Sequence, residues 1–514
     1  MTMDPTDNES ALIAASRRGV VHNCGDLTVG ELANSADPSY SVRGELIREL
    51  LIGRHGEIDP RGVRLQAARV TGVLDLELVR TTTSLALRHC FIEHPVHLED
   101  ARLPRVDLSG SHVPGVLASG LRVEGNLVMG DGFRADSGDD RGTVQLRGAD
   151  ITGFLRMSGG QVSNDSGPAL SAVNIRVGSG IFLRDGFTAT GAGEHGAVRL
   201  TGAHIYGSLE LIEATLVNRS GPAFLADRMH IEGYVHFSRG FIASGMGDAA
   251  TVRMRSGHIT GSLAFTGALL DNGTSGVVVD LQRTTAGAGL FFPRSLICGD
   301  KRKNCRDARK VDVEHCAYGS LPSIHWQEWL HLLRRHTTSY RPSPYQALAA
   351  LQRSSGHEGN ARQVLIVQQD DLRARGGIGS PATRALHALW GAVAGYGYRA
   401  RRLAVILLGA LLLAGLLCWW AGHWPTTPGH HAAERTTASG SPPGTACSSI
   451  ELIGLGIDRG LPLAPAGVRA RCDMDTSVPA GQWFTAAIWL LQALIWGLAT
   501  LAIAGYTSLI RKSG

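Results

Sequence analysis

The most constraining feature of this sequence is an internal repeat of 54 residues. Three blocks align without gaps: GTVQLRGADITGFLRM at 142–157, GAVRLTGAHIYGSLEL at 196–211 and ATVRMRSGHITGSLAF at 250–265. The turns that follow, NDSGP, NRSGP and NGTSG, begin at Asn164, Asn218 and Asn272 and keep the same spacing. Repeats of this kind are typical of solenoids, in which each unit packs against its neighbours.

Each repeat contains a weaker half-copy, so the structural unit has about 27 residues. The string GYVHF at 233–237 lies 26 positions after GSLEL at 207–211. This element alternates apolar and polar side chains, which indicates short strands with one buried face. Glycine is abundant, with 65 of 514 residues, as many tight corners would require. We predict a mainly β fold, namely a parallel β-solenoid over 62–297. Each coil should have three short strands and be too narrow for many aromatic rings.

Helical segments flank the predicted solenoid. The string SVRGELIRELLIG, within 1–60, places apolar residues at helical spacing and predicts an N-terminal helical cap. Residues 298–317 form a basic, cysteine-containing loop in this interpretation. Helical periodicity returns over 318–402, where IHWQEWLHLLRRH precedes a helix pair hinged at Gly356. We interpret this segment as a helical collar that leads to a membrane.

Two apolar segments predict transmembrane helices at 403–424 and 483–510. No charged residue lies within 403–421 or 483–510, and about 20 residues of helix cross a bilayer. Basic residues precede the first segment and follow the second, namely Arg399, Arg401, Arg402, Arg511 and Lys512. The positive-inside rule then predicts a plasma-membrane protein with the solenoid and both termini in the cytoplasm and the loop 425–480 outside.

The charge distribution favours a lipid partner. Residues 299–402 carry seventeen Lys and Arg against eight Asp and Glu, whereas the whole chain has a net charge of only +5. Because this basic segment leads directly into an apolar run, we expect the lipid bilayer as its partner and no nucleic acid.

The cysteines suggest one loose metal group and one disulfide. Cys298, Cys305 and Cys316, with His315, surround the basic string KRKNCRDARK. Three thiolates and an imidazole can bind zinc, but structural zinc sites usually show a tighter C-x2–4-C spacing. We therefore predict an exposed, membrane-facing loop without a metal site. If a metal does bind here, these four residues are the candidate ligands. Cys447 and Cys472 lie in the predicted outer loop and are the candidate disulfide pair.

Catalytic motifs are missing from the sequence. GAGEHG at 191–196 matches a dinucleotide-binding pattern, but a strand-like segment follows it where that pattern needs a helix, so we interpret it as a solenoid turn. No metalloprotease, serine hydrolase, Walker A or kinase motif occurs. His204, His230, His236 and His258 are interpreted as surface residues of strands. We predict no catalytic residues and no cofactor.

The order of these parts resembles a bacterial family usually labelled membrane-associated oxidoreductase. The similarity covers nearly the whole chain and rests on VRGELIRELLIG, on repeats such as VRLTGAHIYGSLEL, on YRPSPYQALAALQRSSGHEGNARQVLIVQQDDLR and on AGYGYRARR. The resemblance implies an oxidoreductase activity with an unidentified cofactor. It assigns no catalytic residues to this chain.

The sequence leaves three hypotheses about function. A large repetitive surface without a catalytic motif favours a membrane-anchored, non-enzymatic scaffold that binds a protein partner or self-associates through the solenoid. The family resemblance implies an oxidoreductase instead. Oligomerisation of the two membrane helices into a pore is the third hypothesis.

Overall fold

A computed structural model describes residues 4–274, 276–298, 305, 309–436, 442, 444–461 and 467–511. It confirms the parallel β-solenoid, the helices towards both ends of the chain and the two candidate membrane helices. The chain divides into two compact units, Met1–His357 and Glu358–Gly514. The boundary falls inside the segment 318–402, for which the sequence predicts a single collar.

Four parallel sheets form the solenoid of unit 1 within the described residues. Sheet 1 contains His22–Asn23, Val63–Gln66, Leu85–Arg88, Val106–Asp107, Leu127–Val128, Phe154–Arg156, Gly180–Arg184, Ser208–Ile212, Val235–Ser238, Ser262–Ala264 and Gly289–Phe291. Sheet 2 contains Ser41–Arg43, Arg69–Thr71, Phe91–Ile92, His112–Val113, Arg134–Ser137, Gln161–Asn164, Thr188–Gly191, Thr215–Asn218, Ile242–Gly245 and Leu269–Asn272. Sheet 3 contains Val96–His97, Val116–Leu117, Val144–Gln145, Leu170–Ser171, Val198–Arg199, Phe224–Leu225, Val252–Arg253, Val277–Asp280 and Lys310–Asp312. Sheet 4 contains Arg102–Leu103, Arg122–Val123, Asp150–Ile151, Arg176–Val177, His204–Ile205, His230–Ile231, His258–Ile259, Thr285–Ala286 and Ala317–Tyr318.

Each full coil has four strands, where the sequence predicts three. The chain passes through sheets 3, 4, 1 and 2 in turn, as in Val198–Arg199, His204–Ile205, Ser208–Ile212 and Thr215–Asn218. The additional strand is the segment before each asparagine turn, which is extended and pairs in sheet 2. This segment is short and contains polar residues, so its strand pattern is hard to distinguish from a turn in the sequence.

Strand pairing confirms the 54-residue repeat and explains where it is visible. Val144 pairs with Leu170 and Leu170 pairs with Val198, so residues 54 positions apart lie two coils apart in the same sheet. Coils nearer the N-terminus are shorter: Val96 pairs with Val116, which lies only 20 positions later. The repeat is therefore clear in the sequence only from the first long coil onward.

Left-handed corners recur along the solenoid and explain part of its glycine content. One left-handed residue lies two positions before each sheet 4 strand, with a φ between 53 and 70°. These residues are Asp100, Gly120, Gly148, Asn174, Gly202, Arg228, Ser256, Arg283 and His315. Glycine adopts this conformation at little cost, and asparagine and aspartate tolerate it better than other residues do.

Buried asparagines link successive coils at the corner after sheet 2. Asn164, Asn218 and Asn272 are at most 8% exposed. Their Nδ2 groups donate to the carbonyl oxygens of Asp139, Gly193 and Ala249 at 2.8, 3.0 and 2.8 Å. Their Oδ1 atoms accept hydrogen bonds from backbone N–H groups two residues later. These asparagines therefore have a structural role in the solenoid.

Helices lie at the two ends of the solenoid. The N-terminal helices are α1 (Asp7–Arg18), α2 (Val29–Asn34) and α3 (Gly44–Leu51), with a 3-10 turn at Pro38–Tyr40. The carboxylate of Glu9, which is 1% exposed, binds Arg43 at 2.8 Å and ties α1 to the first strand of sheet 2. The C-terminal helices of unit 1 are α4 (Ser295–Cys298), α5 (Trp326–Arg335) and α6 (Pro342–Ser354).

The solenoid extends beyond residue 297, where the sequence predicts its end. Lys310–Asp312 and Ala317–Tyr318 add the last strands to sheets 3 and 4. The segment between Cys298 and Arg309 interrupts the repeat and hides this last part of a coil in the sequence. Residues 299–304 and 306–308 of the predicted basic loop lie outside the described residues.

Aromatic side chains fill the last coils, contrary to the prediction from narrow coils. Phe237 and Phe265 stack with their ring centroids 5.1 Å apart. Phe292 contacts Phe265 at 5.6 Å and Trp329 of α5 at 5.4 Å. The longer coils enclose a wider interior, and the ring column continues into the helix that covers the last coil.

Unit 2 is mainly helical. Its described helices are α7 (Glu358–Arg375), α8 (Pro381–Ala394), α9 (Ala400–His423), α10 (Ser449–Gly460) and α11 (Pro479–Arg511), with 3-10 turns at Gly395–Gly397 and Val468–Ala470. Ala433–Arg435 and Cys472–Met474 form an antiparallel strand pair. Among the described residues, two helical stretches, Arg401–His423 and Pro479–Ile503, are long and apolar enough to cross a membrane.

Helix α10 lies in the predicted outer loop and packs against α9. A Cβ atom at Gly456 would overlap the backbone carbonyl of Ala414, so glycine permits this close approach. Ile450, Ile453 and Ile457 of α10 keep a large part of their apolar surface exposed. The Thr-, Pro- and Gly-rich composition of 425–480 concealed it in the sequence.

The asparagine ladder yields a stability prediction. Asn218→Ala leaves the carbonyl groups of Gly193 and Pro222 and the N–H of Ser220 without their buried partner. We expect the free energy of unfolding to fall by about 2–3 kcal/mol, measured by thermal unfolding of the full chain in detergent. Asn174→Gly is the control and should cost little, because Gly202 occupies the same corner one coil later. An Asn218→Ala chain as stable as wild type would contradict the prediction.

Candidate functional site

A column of polar, mostly basic side chains runs along sheet 4. Strand pairing places Arg80, Arg102, Arg122, Asp150, Arg176, His204, His230 and His258 in register on successive coils. We call these eight residues the sheet 4 stripe. Neighbouring strands lie about 4.8 Å apart, so the stripe presents one polar side chain at each such step along the solenoid.

The arginines of the stripe are exposed, and the only carboxylate among the eight stripe residues is Asp150, between Arg122 and Arg176. Arg80, Arg102, Arg122 and Arg176 are all exposed, and within the described residues none of them forms an ion pair with a carboxylate. Like charges directly opposite each other on neighbouring strands are destabilising. The first three arginines are consecutive, so the solenoid retains an arrangement that has an electrostatic cost.

Sheet 1 neutralises several of its arginines with carboxylates on neighbouring coils. On sheet 1, Arg88 binds Asp107 at 2.6 Å and Arg184 binds Glu210 at 3.0 Å, each pair bridging two coils. Asp107 and Glu210 are both buried. The carboxylate of Asp107 accepts hydrogen bonds from Ser109 and Arg88, and its pKa is lowered even though burial alone would raise it. These pairs stabilise the sheet, and the sheet 4 stripe lacks them.

The three histidines of the stripe form a ladder of rings. The ring centroids of His204 and His230 are 4.7 Å apart, and those of His230 and His258 are 4.9 Å apart. Burial and the two neighbouring imidazoles lower the pKa of His230, while Glu232 raises it. The interpretation of His204, His230 and His258 as unconnected surface residues missed this alignment. The 26- and 28-residue spacings of these histidines within the repeat were the available signal.

Part of the ladder also has the composition of a metal site. Ligand atoms of His204, His230 and Glu232 lie within 4.8 Å of one another. Nε2 of His204 is buried and has no hydrogen-bond partner. Two imidazoles and one carboxylate can bind a transition metal ion. Glu232 is exposed, so this group is open to solvent.

A second group combines cysteine and histidine at the C-terminal end of the solenoid. Ligand atoms of Cys298, Cys305, His331 and His336 lie within 4.8 Å of one another. We call these four residues the Cys/His cluster. The structure joins Cys298 and Cys305 by a disulfide. Helix α4 ends at Cys298, and α5 carries His331 and ends just before His336, so two helices converge on the cluster.

The structure distributes the predicted metal candidates differently from the sequence analysis. Cys298 and Cys305 lie together, but neither Cys316 nor His315 belongs to their group. His315 is an exposed left-handed corner of the last coil. Cys316 is buried, and burial raises the pKa of its thiol to about 12. Cys298 is also buried, at 5% exposure, where the sequence predicts an exposed loop.

Sequence reasoning missed His331 and His336. Both lie in the string HWQEWLHLLRRH, and their H-x4-H spacing brings them to the same end of α5. The signal was present, but the sequence alone did not show that the end of α5 meets the residues around Cys298. The contact depends on the last strand, Lys310–Asp312, whose Val311 N–H donates to the His336 carbonyl at 2.7 Å.

The remaining sequence candidates are the GAGEHG string and the cysteine pair of the predicted outer loop. GAGEHG at 191–196 is a turn between the strands Thr188–Gly191 and Val198–Arg199, with left-handed Gly193 and Gly196. Cys447 and Cys472 are joined by a disulfide with a Cα–Cα distance of 6.3 Å. This disulfide fixes the strand Cys472–Met474 to the segment just before α10.

Comparison with known proteins identifies no relative: no protein family, curated protein or solved structure matches this chain. The relation to the membrane-associated oxidoreductase family stays a prediction from the sequence.

The histidine ladder predicts a pH-dependent stability. Because the pKa of His230 is lowered in the folded protein, the unfolded chain binds the proton first as the pH falls through about 6.5. Folded-state stability should therefore fall between pH 7 and pH 5, and His230→Gln should make that loss smaller in thermal unfolding. His195→Gln, in an exposed turn, is the matched control and should retain the wild-type pH profile. Identical profiles for both variants would contradict the role of the ladder.

Proposed function

We propose that this protein is a membrane-anchored platform whose solenoid binds an acidic protein partner along the sheet 4 stripe. The observation that carries the proposal is the in-register column of exposed arginines and partly exposed histidines, none of which forms an ion pair within the described residues. It agrees with a scaffold function, in which a rigid repetitive surface presents side chains at a fixed spacing.

Charge complementarity identifies the class of partner. The stripe contains four exposed arginines and three histidines but only one carboxylate, that of Asp150. An acidic surface would supply the counter-charges that sheet 1 contains internally and would relieve repulsion between neighbouring arginines. A second copy of this chain would present the same positive column, so its charge disfavours self-association through this face.

Unit 2 would hold the platform at the bilayer. Two of its helices can cross a membrane, and basic residues flank the outer ends of this pair in sequence. The positive-inside rule favours a cytoplasmic location for both termini, and the Cys447–Cys472 disulfide agrees with an oxidising compartment for the loop between the helices. Fluorescence of a green fluorescent protein fused to the C-terminus tests this sidedness. A fusion that is dark, with an active alkaline phosphatase fusion at the same site, would contradict it.

Charge reversal tests the binding surface. Arg102→Glu combined with Arg122→Glu replaces two adjacent positive rungs with negative ones. We expect the purified full chain to bind fluorescently labelled poly-L-glutamate about 10-fold more weakly after this change, measured by anisotropy at low salt. Added salt should weaken the wild-type interaction as well, because exposed charges are screened.

A matched reversal on another face is the control. Arg141→Glu combined with Arg239→Glu makes the same charge change at two exposed corners outside the stripe. Glu213 already occupies the position equivalent to Arg239 one coil earlier. This variant should bind poly-L-glutamate like wild type. Equal losses in both variants would contradict a role for the stripe. Wild-type binding to single-stranded DNA or to anionic vesicles, without binding to poly-L-glutamate, would contradict an acidic protein as the partner.

A further inference from the structure

Four potential metal ligands converge at the C-terminal end of the solenoid. In the Cys/His cluster, Nε2 of His336 lies 3.0 Å from Sγ of Cys305 and 3.9 Å from Sγ of Cys298. The rings of His331 and His336 have centroids 5.6 Å apart. Ligand atoms around a tetrahedral zinc ion lie about 3.3–3.8 Å apart, as its bond lengths require. The nitrogen and sulfur atoms of the cluster lie within 4.8 Å of one another, so they need a small contraction, while the two sulfur atoms must separate once their bond is reduced.

The orientation of His336 matches that of a metal ligand. Its Nδ1 lies 2.9 Å from the carbonyl oxygen of Arg309, so Nδ1–H donates to this oxygen and the lone pair of Nε2 points to the sulfur atoms. A hydrogen bond from the non-ligating nitrogen to a carbonyl is the usual way in which a zinc-bound imidazole is held. His336 is 3% exposed, so its ring is fixed by its surroundings.

His331 supplies a buried nitrogen without a partner. Its Nε2 is buried and accepts or donates no hydrogen bond. A buried polar atom of this kind has an energetic cost unless it binds something.

We propose that the reduced form of this protein binds one Zn²⁺ ion through Cys298, Cys305, His331 and His336. Two thiolates and two imidazoles make a closed, four-coordinate site of the structural class. Each thiolate carries one negative charge, so the pair neutralises the ion in a region where arginines are abundant.

The disulfide and the zinc site are two states of the same sulfur atoms. Reduction of the Cys298–Cys305 bond by a dithiol or phosphine adds two electrons and two protons and yields two thiols. Zinc binding then releases the two thiol protons to solvent and forms two Zn–S bonds. Reducing compartments maintain the thiol form, so the zinc site rests on the cytoplasmic location proposed for the solenoid.

Zinc at this position would fasten the end of the solenoid. Cys298 ends α4, His331 and His336 belong to α5 and its C-terminal cap, and the Val311 N–H donates to the His336 carbonyl. One ion would therefore connect two helices and, through this hydrogen bond, the last strand of sheet 3. Metal binding should raise the thermal stability of unit 1, because the unfolded chain has no preformed site.

The test is metal binding by the full chain. The protein is purified in detergent with a phosphine reductant, stripped with a chelator and incubated with Zn²⁺ or Co²⁺ alone. We expect about one ion per chain and, with Co²⁺, the absorption bands of a tetrahedral thiolate-ligated ion. His336→Gln and Cys305→Ser should bind zinc at least roughly 10-fold more weakly, since even the loss of a second-shell partner costs about 10–100-fold.

Two further variants separate ligation from folding. Cys316→Ser removes a buried thiol close in sequence but outside the cluster and should retain one zinc ion per chain. His331→Cys replaces one ligand by another and should restore binding that His331→Gln loses. A folded, fully reduced wild-type chain that binds no Zn²⁺ would overturn the proposal. So would zinc binding that is lost in Cys316→Ser but unchanged in His331→Gln and His336→Gln.

Discussion

Hydrogen bonding between parallel strands of successive coils is the interaction on which the rest of unit 1 depends. Each strand pairs residue by residue with the next, as in His204, His230 and His258 of sheet 4. A slip of one residue would move every side chain to the opposite face, so the register must be fixed firmly. The buried asparagines and the left-handed corners fix it at two places in the coil. The interior apolar columns and the exterior polar columns both follow from this register.

The same register that builds the core also aligns charges on the surface. Sheet 1 uses the alignment to join arginines to carboxylates on neighbouring coils, whereas the arginines of the sheet 4 stripe form no ion pair within the described residues. The first arrangement stabilises the solenoid, and the adjacent arginines of the second have an electrostatic cost that binding can offset. This contrast supports the proposal that the stripe is a binding surface.

The solenoid could be predicted from the sequence because its repeat fixes the length of the long coils, through residues such as Val144 and Val198. The sheet 2 strand that ends at Asn218 was harder to predict, because a short strand with polar residues resembles a turn. Helix α10 was hidden by the composition of its surrounding loop. The Cys/His cluster could not be predicted, because the sequence does not say that the end of α5 meets Cys298. That contact depends on a last strand that follows an interruption of the repeat. The pairing of Cys447 with Cys472 needed only that both lie in one loop.

The central claim is that residues one repeat unit apart stack in register along a single straight column. Spin labels attached to Arg122→Cys and His258→Cys in the full chain test it by pulsed electron resonance. These positions are separated by five steps in sheet 4, through Asp150, Arg176, His204 and His230. If the strands stack in register, the distance distribution is narrow and lies near 24 Å before allowance for the label arms, from a step of about 4.8 Å per coil. A broad distribution, or one centred far from this value, would contradict the stacked register and the stripe that depends on it.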